Sequence, residues 1–115
     1  QWERSGIIAG AHYSLWVQAS IHLRLGQVKE GLNVVDEALT WPPRTEEYSY
    51  LPELHRVRGE LLRRAGQEAE AREAFHEAIH FAHGHGMVVY ERRARASLYQ
   101  LHQVSEAHGE PSHER

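Results

Sequence analysis

The chain has 115 residues, a formal net charge of −3 and no cysteine. This length allows one domain with a modest core, and the absence of cysteine excludes disulfide frameworks, cysteine-based zinc sites and thiol nucleophiles. The slightly acidic balance argues against a nucleic-acid partner, and no apolar run approaches the ~20 residues of a membrane helix. We see no signal peptide and therefore expect a cytoplasmic protein.

Apolar residues recur at spacings of three and four along the whole chain, which predicts helices only. Five helices are expected, over about residues 6–25, 28–40, 50–66, 68–84 and 87–107. Gly26, Gly66 and the Gly84-His85-Gly86 segment supply stop signals. Trp41-Pro42-Pro43 ends the second helix, and Arg44–Ser49 is predicted to be a loop. No segment alternates apolar and polar residues, so no sheet is expected.

The last residues differ in composition from the rest of the chain. They read Gly109-Glu110-Pro111-Ser112-His113-Glu114-Arg115 and are polar throughout. Polar chain ends with glycine and proline tend to lack fixed structure. We predict one helical domain over residues 1–109 and a disordered tail over 110–115.

The sequence repeats itself after 40 residues. The shift places Gly26 on Gly66, Gly31 on Ala71, Val35 on Phe75 and Ala38 on Ala78. Small residues at 31 and 71 allow the second helix of a pair to cross the first closely. Val35 and Phe75 are expected to fill the space between neighbouring pairs. A fixed period of this kind is typical of helical repeat arrays.

This spacing resembles the tetratricopeptide repeat. The second copy reads Gly59, Leu62, Gly66, Ala71, Phe75 and Ala78; the first reads Ala19, Gly26, Gly31, Val35 and Ala38, followed by Pro42-Pro43. The resemblance implies an all-α solenoid of antiparallel helix pairs. Repeat 1 would span about 12–43, repeat 2 about 52–85, and a capping helix 87–107 would cover the end of the array.

Three segments sharpen the resemblance. Residues 54–62, 69–79 and 90–98 are similar to the C-terminal repeats of large bacterial regulators. Those proteins join a nucleotide-cyclase or DNA-binding domain to a signalling ATPase module. The resemblance implies a scaffold for protein–protein interaction in signalling or transcription, without catalysis or a cofactor in the repeats themselves.

The resemblance also implies a concave surface, lined by the first helix of each pair, that binds a protein or peptide. The residues carried onto this surface are Tyr13, Trp16, Ser20 and Arg24, then Glu53, Arg56, Glu60, Arg63 and Arg64, with Arg92, Arg93 or Gln100 added by the last helix. Aromatic and arginine side chains are typical of interface anchors. The alternative is that the charges only form helix-surface pairs, such as Glu53 with Arg56 or Glu60 with Arg64.

The histidines offer a different function. His76-Glu77-Ala78-Ile79-His80 matches the H-E-x-x-H pattern of zinc proteases. The repeat turns Phe75, Ala78 and Ile79 inward, and the extended protease pattern is missing, so we expect no enzyme.

Two alternatives stay open beside the partner-binding groove. A metal could bind at His76, His80 and His83, which lie at i, i+4 and i+7 on one helix face; otherwise these residues form a solvated face. A repeat array with apolar end faces could also associate with a second copy of itself.

Overall fold

The computed structural model consists of five helices in its described part. It describes the backbone of residues 2–40 and 50–113, and the side chains of residues 13–40 and 50–104. The helices are α1 (Trp2–Arg24), α2 (Val28–Thr40), α3 (Leu51–Arg64), α4 (Glu68–Gly84) and α5 (Val88–His113). No strand occurs in these ranges, which confirms the all-α prediction. The predicted loop Arg44–Ser49 and its Trp41-Pro42-Pro43 boundary lie outside the described residues.

Three turns of one design connect the helices. Gly26, Gly66 and Gly86 have φ values of 74°, 84° and 68°, a left-handed conformation that glycine adopts without steric cost. At the first turn the Gln27 amide donates to the His22 carbonyl (2.9 Å) and the Gly26 amide donates to Leu23 (3.2 Å). The same two bonds recur at the other two turns. Two of the carbonyls left over at each helix end are thereby satisfied, and the next helix starts at once.

The helices form two layers. The inner layer is α1, α3 and α5, in which α3 contacts both neighbours, and the outer layer is α2 and α4. α1 and α3 run in the same direction, because Tyr50 at the start of α3 lies beside Tyr13 and Trp16, whereas Arg64 at its end reaches Leu23. α5 runs the same way, because Arg93 contacts Glu53 and, further along both helices, Leu101 packs with Leu62. Such parallel first helices with the second helices behind them are the arrangement of a helix-pair solenoid.

The core lies between successive helix pairs. Val35 of α2 packs with Ala19, Val57 and Leu61, and Phe75 of α4 packs with Leu62 and Leu101. Val35 and Phe75 are fully buried. The predicted role of these two equivalent positions, to fill the space between pairs, is confirmed.

Two positions without a side chain set the close approach of helices. A Cβ atom at Gly59 would overlap the Phe75 ring, and one at Gly31 would lie 2.8 Å from a methyl group of Leu61. Both Cβ positions are closer to their neighbours than ordinary van der Waals contact allows. The repeat therefore needs small residues here because bulky neighbours already occupy the space.

The two terminal helices are longer than predicted. α1 begins at Trp2 rather than near Gly6, and α5 continues to His113 rather than ending near residue 107. The backbone of residues 110–113 continues α5, and the division into a domain over 1–109 and a tail over 110–115 stays a prediction. A proline removes one main-chain hydrogen bond and weakens a helix, but the helical conformation can continue past it. Residues 114 and 115 lie outside the described part.

Candidate partner-binding surface

Three aromatic rings meet where α1 and α3 begin to run side by side. The ring centroids of Tyr13 and Tyr50 are 5.2 Å apart, those of Trp16 and Tyr50 are 5.4 Å apart, and those of Tyr13 and Trp16 are 5.8 Å apart. These are favourable separations for tilted aromatic pairs. Tyr13 is half exposed, whereas the Nε1 atom of Trp16 is buried without a hydrogen-bond partner among the described residues. The three rings pack against one another, and Tyr13 is presented to solvent.

A buried carboxylate lies in the seam between α3 and α5. Glu53 is 1% exposed. Arg56 donates to both of its oxygens, at 3.2 Å from Nε and 3.0 Å from Nη2, and Arg93 of α5 donates from Nη1 at 3.3 Å. A buried charge is tolerated when it is paired and hydrogen-bonded in this way. One carboxylate therefore serves two arginines and orients them.

Glu53 is buried, in contrast to the other residues predicted for the groove. A partner cannot reach its side chain, because α5 packs over this part of α3 and Arg93 covers the carboxylate. Glu53 therefore lies beneath the surface, where it positions two arginines. Its predicted pairing with Arg56 is present.

The other charges of α3 are also engaged. Glu60 pairs with Arg63 (2.6 Å from Nη2), three residues along the same helix. Arg64 donates from Nη1 to the Leu23 carbonyl (3.0 Å), one of the last carbonyls of α1. A cation is favourable at that negative helix end. Arg64 thus helps to join the two repeats, in addition to its predicted place on the surface.

The predicted residues of α1 lie along the same layer. Tyr13 and Arg24 are exposed, while Trp16 and Ser20 are half-buried. Beside the aromatic cluster on α1 and α3, Arg56 of α3 and Arg93 of α5 share the Glu53 carboxylate. The inner layer therefore carries an aromatic and arginine surface that spans all three of its helices.

The repeat geometry has a counterpart in known sequences. A family model of the tetratricopeptide repeat-like domain matches residues 9–104. The chain belongs to this family. Tetratricopeptide repeat-like domains are protein-interaction modules, and the match covers both helix pairs and most of α5.

One curated relative of this tetratricopeptide repeat-like chain is a much longer protein. It is an uncharacterized protein of Rhizobium meliloti (strain 1021), 32% identical over 97 residues. The aligned part is 84% of this chain but 9% of that protein, so the chain spans less than a tenth of its relative's length. No solved structure gives a significant match.

The histidines of the second repeat lie on its outer helix. His76, His80 and His83 of α4 are all exposed, and the Nδ1 atom of His83 lies 3.4 Å from the Glu91 carboxylate of α5. Among the described side chains, no three histidine, aspartate or glutamate groups come together as metal ligands.

In the described part of this tetratricopeptide repeat domain, no helix is long and apolar enough to cross a membrane.

Two features of the surface escaped the sequence prediction. Tyr50 completes the aromatic cluster although it precedes α3, and Tyr90 lies beneath Arg93, whose guanidinium carbon is 5.6 Å from the ring centroid. Neither belongs to the predicted groove set. The sequence signal for both is an aromatic residue at the start of an inner helix.

Proposed function

We propose that the inner layer binds a protein or peptide partner. The observation that carries this proposal is the presence on one layer of an aromatic cluster, on α1 and α3, and of two arginines that share a buried carboxylate, on α3 and α5. Side chains of these types dominate the energy of protein interfaces, particularly where packing fixes them before binding. Tyr13 packs against two rings, and Arg56 and Arg93 both pair with Glu53, so these contacts restrain the three side chains.

The role within a larger protein is part of the same proposal. The module acts as a scaffold in a cytoplasmic bacterial signalling or transcriptional regulator, and it has no catalytic activity of its own. Support comes from the regulator-like segments of the sequence and from the bacterial relative, in which the similar region is one small part. The complete reading frame of the source gene is the test. An ATPase, cyclase or DNA-binding domain in it is expected, and a frame with none of these contradicts the regulator role.

A peptide-library selection tests the binding proposal. The immobilised chain is used to select random dodecapeptides, and their affinities are measured by fluorescence anisotropy. Tyr13→Ala is expected to weaken the selected peptides about tenfold, the effect of removing an interface anchor. His76→Ala on α4 is the matched control, because its exposed ring lies on the outer layer, and affinity should change less than about twofold. Equal losses in both variants, or a selection without binders, would refute the proposal.

A further inference from the structure

Met87 and the first two turns of α5 form an open apolar pocket, called here the α5 pocket. Its lining is Met87, Val88, Val89, Tyr90 and Arg93, and its volume is about 400 Å³. Val88 and Val89 are 57% and 59% exposed, although valine is usually buried in folded proteins. Two exposed valines lie beside a tyrosine and a methionine. Covering this surface with another apolar group would be energetically favourable.

One edge of the α5 pocket is positively charged. Arg93 is 51% exposed, and its described contact with Glu53 uses a single nitrogen, Nη1. Glu53 neutralises one charge, but it is shared by Arg56 and Arg93, so the group of three carries one excess positive charge. A guanidinium presents five donors, and several of those on Arg93 are left to face solvent.

The other carboxylate of this helix start is engaged elsewhere. Glu91 accepts from Nη2 of Arg95 at 2.8 Å, and it faces His83 of α4 at 3.4 Å. The Arg95 guanidinium holds the pKa of the Glu91 carboxyl below its ordinary value. Glu91 is therefore committed to Arg95 and His83, and the exposed side of Arg93 stays available for an external anion.

Two contacts orient the arginine before any ligand arrives. The Tyr90 ring lies below the guanidinium at 5.6 Å, and Glu53 holds Nη1 from the side. A restrained side chain loses little conformational entropy when it binds a ligand. A carboxylate that approaches Arg93 would meet donors already in place, directly beside the apolar part of the pocket.

We propose that the α5 pocket binds a peptide segment with an apolar side chain next to a carboxylate. The apolar side chain covers Val88 and Val89, and the carboxylate binds Arg93. Charge complementarity and the open shape of the pocket select this partner chemistry. The proposal rests on the partner-binding function of the inner layer and names one subsite of it, together with the type of segment that it prefers.

Nuclear magnetic resonance titration of the isotopically labelled chain tests this proposal. The probe is the capped peptide acetyl-Gly-Leu-Glu-Gly-amide, and the two matched peptides replace its leucine by serine or its glutamate by glutamine. We expect saturable shifts of the amides of residues 87–93 with the probe. The glutamine peptide should bind about tenfold more weakly, as for loss of a charge-assisted hydrogen bond. A second arm compares acetyl-Gly-Leu as free acid and as amide, which separates a C-terminal carboxylate from a side-chain carboxylate.

Variants identify the residue that recognises the carboxylate. In Arg93→Gln the preference for the glutamate peptide over the glutamine peptide should vanish, whereas Arg95→Gln, which removes the same charge from the same helix, should keep it. Val89→Ser should weaken both peptides alike, and its exposed position leaves the melting temperature unchanged. The proposal is overturned if shifts at 87–93 do not saturate, or if Arg93→Gln retains the preference. Library-selected peptides that depend on Tyr13 would then still support the broader function.

Discussion

Among the described glycines, Gly59 leaves the least space for a Cβ atom. Its Cβ position is occupied by the Phe75 ring. In Gly59→Ala, overpacking is expected to lower the free energy of unfolding by about 1–3 kcal/mol. The higher helix propensity of alanine offsets up to about 1 kcal/mol of this loss. Urea denaturation followed by circular dichroism measures the difference.

Gly84 provides the control for this substitution. It is the last residue of α4, and a Cβ atom there would meet nothing within 4 Å. Gly84→Ala should therefore raise stability by up to about 1 kcal/mol, since only the propensity term remains. If both variants were destabilised equally, steric contact with Phe75 would not be the reason for glycine at 59.

His55 makes the stability of the protein depend on pH. It lies with Arg58 and Glu77 at a cavity of about 300 Å³ between α3 and α4. Burial lowers the pKa of His55 from its ordinary 6.5; Arg58 lowers it further, and Glu77 partly opposes the shift. The unfolded chain then binds the proton more readily than the folded one, so stability falls as pH decreases below about 6.5 and levels off below the lowered pKa.

Comparing urea denaturation at pH 7.5 and pH 5.5 tests this effect. The parent chain should lose more stability across this interval than His55→Gln, whose side chain does not titrate. His102→Gln removes an exposed imidazole from α5 and serves as the control. If the parent and His55→Gln lost the same amount, His55 would not be the source of the dependence.

At the scale of elements, α5 is an integral part of the fold. Leu101 is fully buried and packs against Leu62 and Phe75, whereas Tyr99 on the same helix is 63% exposed. Leu101→Ala should cost about 2–5 kcal/mol of stability, as expected for a cavity in a packed core. Tyr99→Ala should change it by less than about 0.5 kcal/mol. Urea denaturation distinguishes the two, and a small effect at Leu101 would mean that α5 is only loosely attached.

The sequence predicted the elements well because their signals are local. Apolar spacing sets each helix, and Gly26 and Gly66 mark turns whose conformation needs glycine. The surface was harder to predict because it depends on distant residues. The burial of Glu53 follows from Arg93, 40 positions away. The partial burial of His55 follows from its position against α4. A helical pattern indicates which side faces inward, but not which neighbour covers a given charge.

At the scale of the whole molecule, α3 is the centre of the assembly. It is in contact with α1, α2, α4 and α5, and seven of its residues are buried. In a solenoid, stability is the sum of local and nearest-neighbour terms, so the element with neighbours on both sides should open last. Amide hydrogen exchange is expected to be slowest in α3. Faster exchange in α3 than in α1 or α5 would contradict this order.

The parallel alignment of the inner helices also determines the spacing of contacts along any segment that lies across them. Packed helices have axes about 8–10 Å apart, and an extended chain advances ~3.3 Å per residue. An extended segment that crosses from α1 through α3 to α5 therefore meets a new helix about every third residue. At that interval, its side chains would contact first the aromatic rings, next Arg56 and last Arg93.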